Sequence, residues 1–132
     1  MNKKYKILIV EDEASLRFVY SEYLDMEGFE VIQAEDGREA LDLVKTNPDI
    51  DVILLDLMIP KIDGIKVLEK IRSNPKNKSI KIFVMTVLSR EKVIKEAFDL
   101  GADGYLIKDS LTPDQIKEEI ISLLEPRKPE FP

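Results

Sequence analysis

A chain of 132 residues with 26 acidic and 20 basic side chains, net -6, has the size of one domain and a poor charge for holding nucleic acid, because phosphate backbones reward basic surfaces. It contains neither histidine nor cysteine, which excludes a histidine-based metal site, a phosphohistidine, a Ser-His-Asp triad, disulfides and thiolate chemistry. Chemistry is left to carboxylates, hydroxyls, lysine and backbone amides, and the lack of cysteine fits a reducing cytoplasm.

Five short apolar runs alternate with stretches of helical period. The first, residues 6–10, is nearly continuous Ile, Leu and Val, as expected of a parallel strand covered on both faces. It stops at two acids, too early for a secretory core, and no run in the chain nears the roughly 20 apolar residues of a membrane span. From 13 to about 27, Leu16, Val19, Tyr20, Tyr23 and Leu24 recur at helical spacing, and Gly28 ends that helix. A second strand is expected over 29–34. Asp36 and Glu39 have the spacing of a capping box for a second helix, which Asn47-Pro48 stops. The third strand, 52–55, is the most hydrophobic. A helix over 63–72 carries Ile65, Leu68 and Ile71 on one stripe, and a fourth strand follows over 80–85. The lysines at 76, 78 and 81 read as a solvated loop. Ser89 can cap a fourth helix with Val93, Ala97 and Leu100 inward, closed by Gly101. A short fifth strand over 104–107 leads to the clearest start signal in the chain: Thr112 as cap, Pro113 at the first helical position and Gln115 closing the box. Ile116, Ile120, Leu123 and Leu124 then face inward.

Strand and helix alternate five times, which argues for an α/β fold, a parallel sheet between helices joined by right-handed crossovers. There is no internal repeat. The expected organisation is one domain over 1–125 and a proline-rich linker or tail over 126–132.

In open parallel sheets, ligands bind beyond the carboxyl ends of the strands. The residues just past those ends are Glu11 and Asp12, then Asp56, Thr86 and Lys108. Close carboxylates repel unless a cation or proton relieves them. A hard divalent ion is the natural solution, and magnesium accepts oxygen ligands, keeps waters and pairs with carboxylates plus a phosphate. Lys108 adds a second positive charge and Thr86 a hydroxyl donor. An aspartate can be a covalent nucleophile. Asp56 suits that role because it ends the most hydrophobic strand, with Glu11 and Asp12 on the metal side. Each residue alone has an ordinary reading: a solvated acid, a turn hydroxyl, a surface lysine. Their joint placement carries the functional one.

The segments 7–13 (Ile-Leu-Ile-Val-Glu-Asp-Glu), 54–64 (Leu-Leu-Asp-Leu-Met-Ile-Pro-Lys-Ile-Asp-Gly), 85–86 (Met-Thr) and 101–108 (Gly-Ala-Asp-Gly-Tyr-Leu-Ile-Lys) together resemble the receiver domains of bacterial two-component response regulators, over nearly all of residues 5 to 125. The resemblance implies a doubly wound, flavodoxin-like (βα)5 sheet of order 2-1-3-4-5. It implies that Asp56 is the phosphoacceptor, that Glu11 and Asp12 are magnesium-side acids, and that the Met58 carbonyl completes the protein ligands of Mg2+. Lys108 matches the lysine of the motif, while Thr86 and Tyr105 match a hydroxyl and aromatic switch pair. The implied partners are a sensor histidine kinase and an output domain or protein met through the fourth helix, fifth strand and fifth helix. Homodimerisation on phosphorylation is an option, with no membrane and no direct nucleic-acid contact by this domain. Pro60 and Gly64 match residues that shape the turn after the acceptor. Two departures stand out. Asp109 follows Lys108 where many members carry proline, and Val87 stands where a smaller residue is common, so its branched side chain is expected to narrow access to the acceptor. The alternatives are a pseudo-receiver that binds protein without phosphorylation, a flavin binder on the same sheet, and a magnesium-dependent phosphatase.

Overall fold

A computed structural model describes residues 4–59, 61–87, 91–108 and 112–125. Pro60, Ser89, Asp109 and the tail from 126 onward lie outside the described residues. The strands are β1 (Lys6–Val10), β2 (Glu30–Ala34), β3 (Val52–Asp56), β4 (Lys81–Thr86) and β5 (Gly104–Ile107). The helices are α1 (Ala14–Met26), α2 (Gly37–Thr46), α3 (Gly64–Arg72), α4 (Glu91–Asp99) and α5 (Pro113–Leu124), with a 3-10 turn at Pro75–Asn77. All strand pairs are parallel, in the order β2-β1-β3-β4-β5. The expected fold and strand order are both present.

Side chains of a strand alternate between faces, and that parity splits the core in two. Leu8, Val10, Ile53 and Leu55 pack with Val67, Leu68 and Ala97 of α3 and α4. Ile7, Ile9 and Leu54 pack with Tyr20 and Leu24 of α1 and with Ile116 and Ile120 of α5. Because β1 and β3 are buried on both faces, they are apolar from Ile7 to Val10 and from Val52 to Leu55, and polar residues return only at Glu11 and Asp56.

Most helix boundaries follow their local chemistry. Gly28 and Gly101 hold φ of +98° and +107°, the left-handed turn that ends a helix cheaply only with glycine. Thr112 and Gln115 make both halves of a capping box. Asp36 accepts from Glu39 N at 2.8 Å, although the return bond from the Glu39 side chain is absent among the described residues. Val19, expected on the inner stripe of α1, is exposed, because the buried face is centred on Tyr20, Ser21 and Leu24. The second strand starts one residue later than expected, with Phe29 still buried ahead of it. Lys76 and Lys78 are exposed, while Lys81 already belongs to β4.

One ionic tie was not legible. Arg72, at the end of α3, donates to the carbonyls of Gly101, Asn77 and Ile80 and to Asp103 Oδ2, at 2.7–2.9 Å. Asp103 also accepts from Ile82 N at 2.9 Å, so one guanidinium joins α3, the start of β4 and the α4–β5 turn. Removing it strands several half-buried acceptors, a loss of about 2–4 kcal/mol. Arg72→Ala should therefore lower the unfolding free energy by that amount, seen as a lower urea midpoint at unchanged slope, whereas a loss under about 0.5 kcal/mol would show that these bonds add little to stability.

Candidate functional site

The carboxyl ends of β1, β3, β4 and β5 deliver the site. Glu11 follows β1, fully buried, and its N–H still donates to the Ala34 carbonyl at 3.1 Å. Asp12, one residue on, is exposed. Asp56 is the last residue of β3 and 2% exposed. Lys108 follows β5, its backbone N–H bonded to the Thr86 carbonyl at 2.8 Å. From there its ammonium reaches Asp56 Oδ2 at 3.0 Å and comes within 2.5 Å of Glu11 Oε1. Glu11, Asp12 and Asp56 each present one carboxylate oxygen within 4.8 Å of the others. The four residues thus converge as their strand-end positions require.

Two carboxylates and one ammonium, out of water, do not balance. Burial and the neighbouring Asp56 push the Glu11 carboxyl up to about 7, against the opposing pull of Lys108. Burial lowers the Lys108 ammonium, but its bonds and charge contacts with Glu11 and Asp56 reverse this and hold it above an ordinary lysine. Glu11 Oε1 lies close to the ammonium without accepting a well-directed hydrogen bond. A buried oxygen acceptor short of partners, beside two further carboxylates and no softer donor, fits a hard divalent cation.

Thr86 ends β4, buried beside this cluster. With Leu57, Met58, Val87 and Val93 it lines an open cavity of about 600 Å³ between the loop after β3 and α4. Val87 is half exposed at that opening. Met58 N donates to Asp56 Oδ1 at 2.9 Å, and the Met58 side chain is exposed. Tyr105 stands apart: it is 45% exposed on β5 and meets Phe98 of α4 edge-on, with ring centroids 6.3 Å apart.

Two supporting residues were missed in the sequence. Arg17 Nη1 donates to the Glu11 carbonyl at 2.7 Å and its Nε to Gln33 at 3.1 Å, steadying the loop that carries Asp12. Its signal was available, since a cation in a helix's first turn opposes the macrodipole and needs a reason. The Tyr20 hydroxyl lies 3.5 Å from the Lys108 carbonyl, and nothing in the pattern of α1 distinguishes it from a core aromatic.

Residues 7–121 match the family model described as "Response regulator receiver domain". The chain belongs to the response regulator receiver domains. It is 38% identical over 119 residues to the transcriptional regulatory protein SrrA of Staphylococcus aureus, covering 90% of this chain and 47% of SrrA. It is 37% identical over 122 residues to the probable transcriptional regulator ycf27 of Porphyridium aerugineum, covering 92% and 49%. The chain therefore spans about half the length of these curated relatives. Among solved structures, the chemotaxis response regulator CheY4 of Vibrio cholerae superposes with a TM-score of 0.82 at 28% identity, over 89% of this chain and 99% of that one. The CheX-CheY-BeF3-Mg+2 complex of Borrelia burgdorferi gives 0.81 at 28% identity, over 91% and 89%. A phosphoacceptor role in two-component signalling fits this membership.

The raised Glu11 carboxyl has a pH signature. Its folded value of about 7 exceeds the ordinary 4.5, so the folded receiver holds this proton more tightly than the unfolded chain. That contribution to stability is complete below about pH 4.5 and is lost as pH rises through about 7. Chemical denaturation of the cation-free receiver should show stability falling between about pH 5 and 8, and Glu11→Gln should flatten the slope. Equal slopes in both proteins would place the titrating group elsewhere.

Proposed function

We propose that Asp56 is the phosphoacceptor of this receiver, taking a phosphoryl group from the phosphohistidine of a sensor histidine kinase or from a small phosphodonor. The observation that carries the reading is the Lys108 ammonium 3.0 Å from Asp56 Oδ2, within a cluster completed by Glu11 and Asp12.

Asp56 Oδ attacks phosphorus, the P–N or P–O bond to the donor breaks in line, and the leaving group takes up a proton. The product is an acyl phosphate, which water hydrolyses to reset the site. Lys108 neutralises phosphoryl oxygens on one side, and the Thr86 hydroxyl donates to one of them. Glu11, Asp12, Asp56 and the Met58 carbonyl would hold Mg2+, which supplies the remaining charge neutralisation of the transferring group. Met58 N, bonded to Asp56 Oδ1 at 2.9 Å, holds that oxygen back and leaves the carboxylate in one orientation.

The output surface in this reading is α4, β5 and α5. Exposed Tyr105 and Phe98 lie on it, and a Thr86 drawn toward the phosphoryl group frees space for Tyr105 to turn inward. An output domain, a partner protein or a second copy would read that face. We assign residues 1–125 to the receiver unit and 126–132 to a linker or tail, with a cytoplasmic setting. Among the described residues no helix is long and apolar enough to cross a membrane.

Incubation with acetyl phosphate or phosphoramidate and magnesium should add one phosphoryl mass to the intact protein and none to Asp56→Ala. Lys108→Ala should still label but lose the change in partner affinity. Failure of the unaltered protein to label with any competent donor, a cognate kinase included, would leave a pseudo-receiver.

A further inference from the structure

The loop that follows Asp56 is pinned at three places, and one of them lies on an element that gives nothing to the acidic cluster. At its start, Leu57 N bonds to the Met85 carbonyl at 3.1 Å. At its end, Gly64 N bonds back to the Leu57 carbonyl at 3.3 Å. A Cβ on Gly64 would stand 2.5 Å from Leu57 Cα and 2.8 Å from the Asp56 carbonyl oxygen, so the loop closes on itself where only glycine fits. Between these ends, Lys61 holds φ of +69°, the left-handed region that side chains other than glycine seldom take. Its ammonium pairs at 3.2 Å with Asp36 Oδ2, on an aspartate whose side chain is 8% exposed. Next to that pair, Gly37 packs so tightly on Ile62 that a Cβ would meet the Ile62 carbonyl oxygen at 2.6 Å.

Asp36 does two jobs at once. Its Oδ1 caps α2 by accepting from Glu39 N at 2.8 Å, and its Oδ2 faces Lys61. The cap first, then the Lys61 ammonium, hold its carboxyl below the usual carboxylate range despite its burial. A non-glycine residue in a left-handed conformation persists where its surroundings fix it, and the contacts at Lys61 and Ile62 are the Asp36 ion pair and the close approach of Gly37, both at the start of α2.

We propose that Asp36 and Gly37 form a clamp on Lys61 and Ile62 that sets the loop after Asp56, and with it the Met58 main chain, in the geometry for cation binding. Lys61 is a positioning residue, not a catalytic one. The inference rests on the proposed function, since it concerns the cation site of that reading.

Charge alone and the clamp predict opposite results for one variant. Lys61→Met removes a positive charge from the loop that carries Met58, so bare electrostatics would tighten Mg2+ binding. Loss of the clamp weakens it. Asp36→Asn keeps an oxygen to cap α2 and removes only the charge. Titration calorimetry with MgCl2 should give about a two- to fivefold larger Kd for each single variant, within the range of one such ion pair. The double variant should be no weaker than either single, because both remove the same contact. Gly37→Ala, which alters no charge, should weaken Mg2+ as well by displacing Ile62. Lys61→Met binding Mg2+ as tightly as the unaltered protein, or effects that add in the double variant, would overturn the clamp. Should the unaltered receiver bind no Mg2+, the functional reading fails instead. The clamp is then decided by amide exchange over residues 57–63, which must be faster in Lys61→Met for it to stand.

Discussion

The structure depends on a single ammonium placed between buried carboxylates. Lys108 reaches Asp56 and Glu11 from the end of β5, while both acids terminate strands that are apolar on both faces. Removing two charged carboxylates from water is costly, and mutual repulsion adds to the cost. One lysine offsets part of that, and the raised Glu11 carboxyl is the remainder left unbalanced. A site in that condition has a standing affinity for positive charge. In the proposed function, that imbalance would favour a bound cation, and the cation an incoming phosphoryl group.

The sheet order explains why these residues meet at all. With β1 and β3 adjacent and β2 sent to the far side, the chain leaves β1 and β3 toward opposite faces of the sheet, opening a crevice at their carboxyl ends. Glu11–Asp12 and Asp56 flank that crevice, and parallel register brings Thr86 at the end of β4 beside Lys108 just past β5. Strand parity decides which residues are core and strand termination decides which are chemical, so both sets follow from the same five short runs.

That is also why so much was legible beforehand. The apolar runs fix the strands, and the polar residues just past β1, at the end of β3 and just past β5 are the ones brought together: Glu11, Asp12, Asp56 and Lys108, with Thr86 buried at the end of β4. The helix caps at Asp36 and Thr112 and the left-handed glycines were legible because their chemistry is local. What stayed hidden were contacts between residues far apart in sequence whose types are ordinary: Arg72 with Asp103, Arg17 with the Glu11 carbonyl, Lys61 with Asp36. Such pairs depend on rotamers and on loop paths, which no periodicity encodes. Val19 failed for a related reason: a stripe of suitable spacing says that a face is buried, but not how wide the covering surface is.

The tethering of the strands is uneven in a way that bears on signalling. β3 has neighbours on both sides, whereas β5 is a four-residue edge strand held only by β4. Lys108 and Tyr105 both belong to this last segment, three residues apart, one directed into the carboxylate cluster and the other half out in solvent against Phe98. In the proposed function, a change in what Lys108 pairs with would be felt first by the edge strand it follows, and least by the central strand that bears Asp56. The acceptor has to stay fixed for in-line transfer, and an output surface has to move. With Asp56 as the proposed nucleophile, a counter-charge just past the edge strand and a nucleophile at the centre would let one sheet meet both demands.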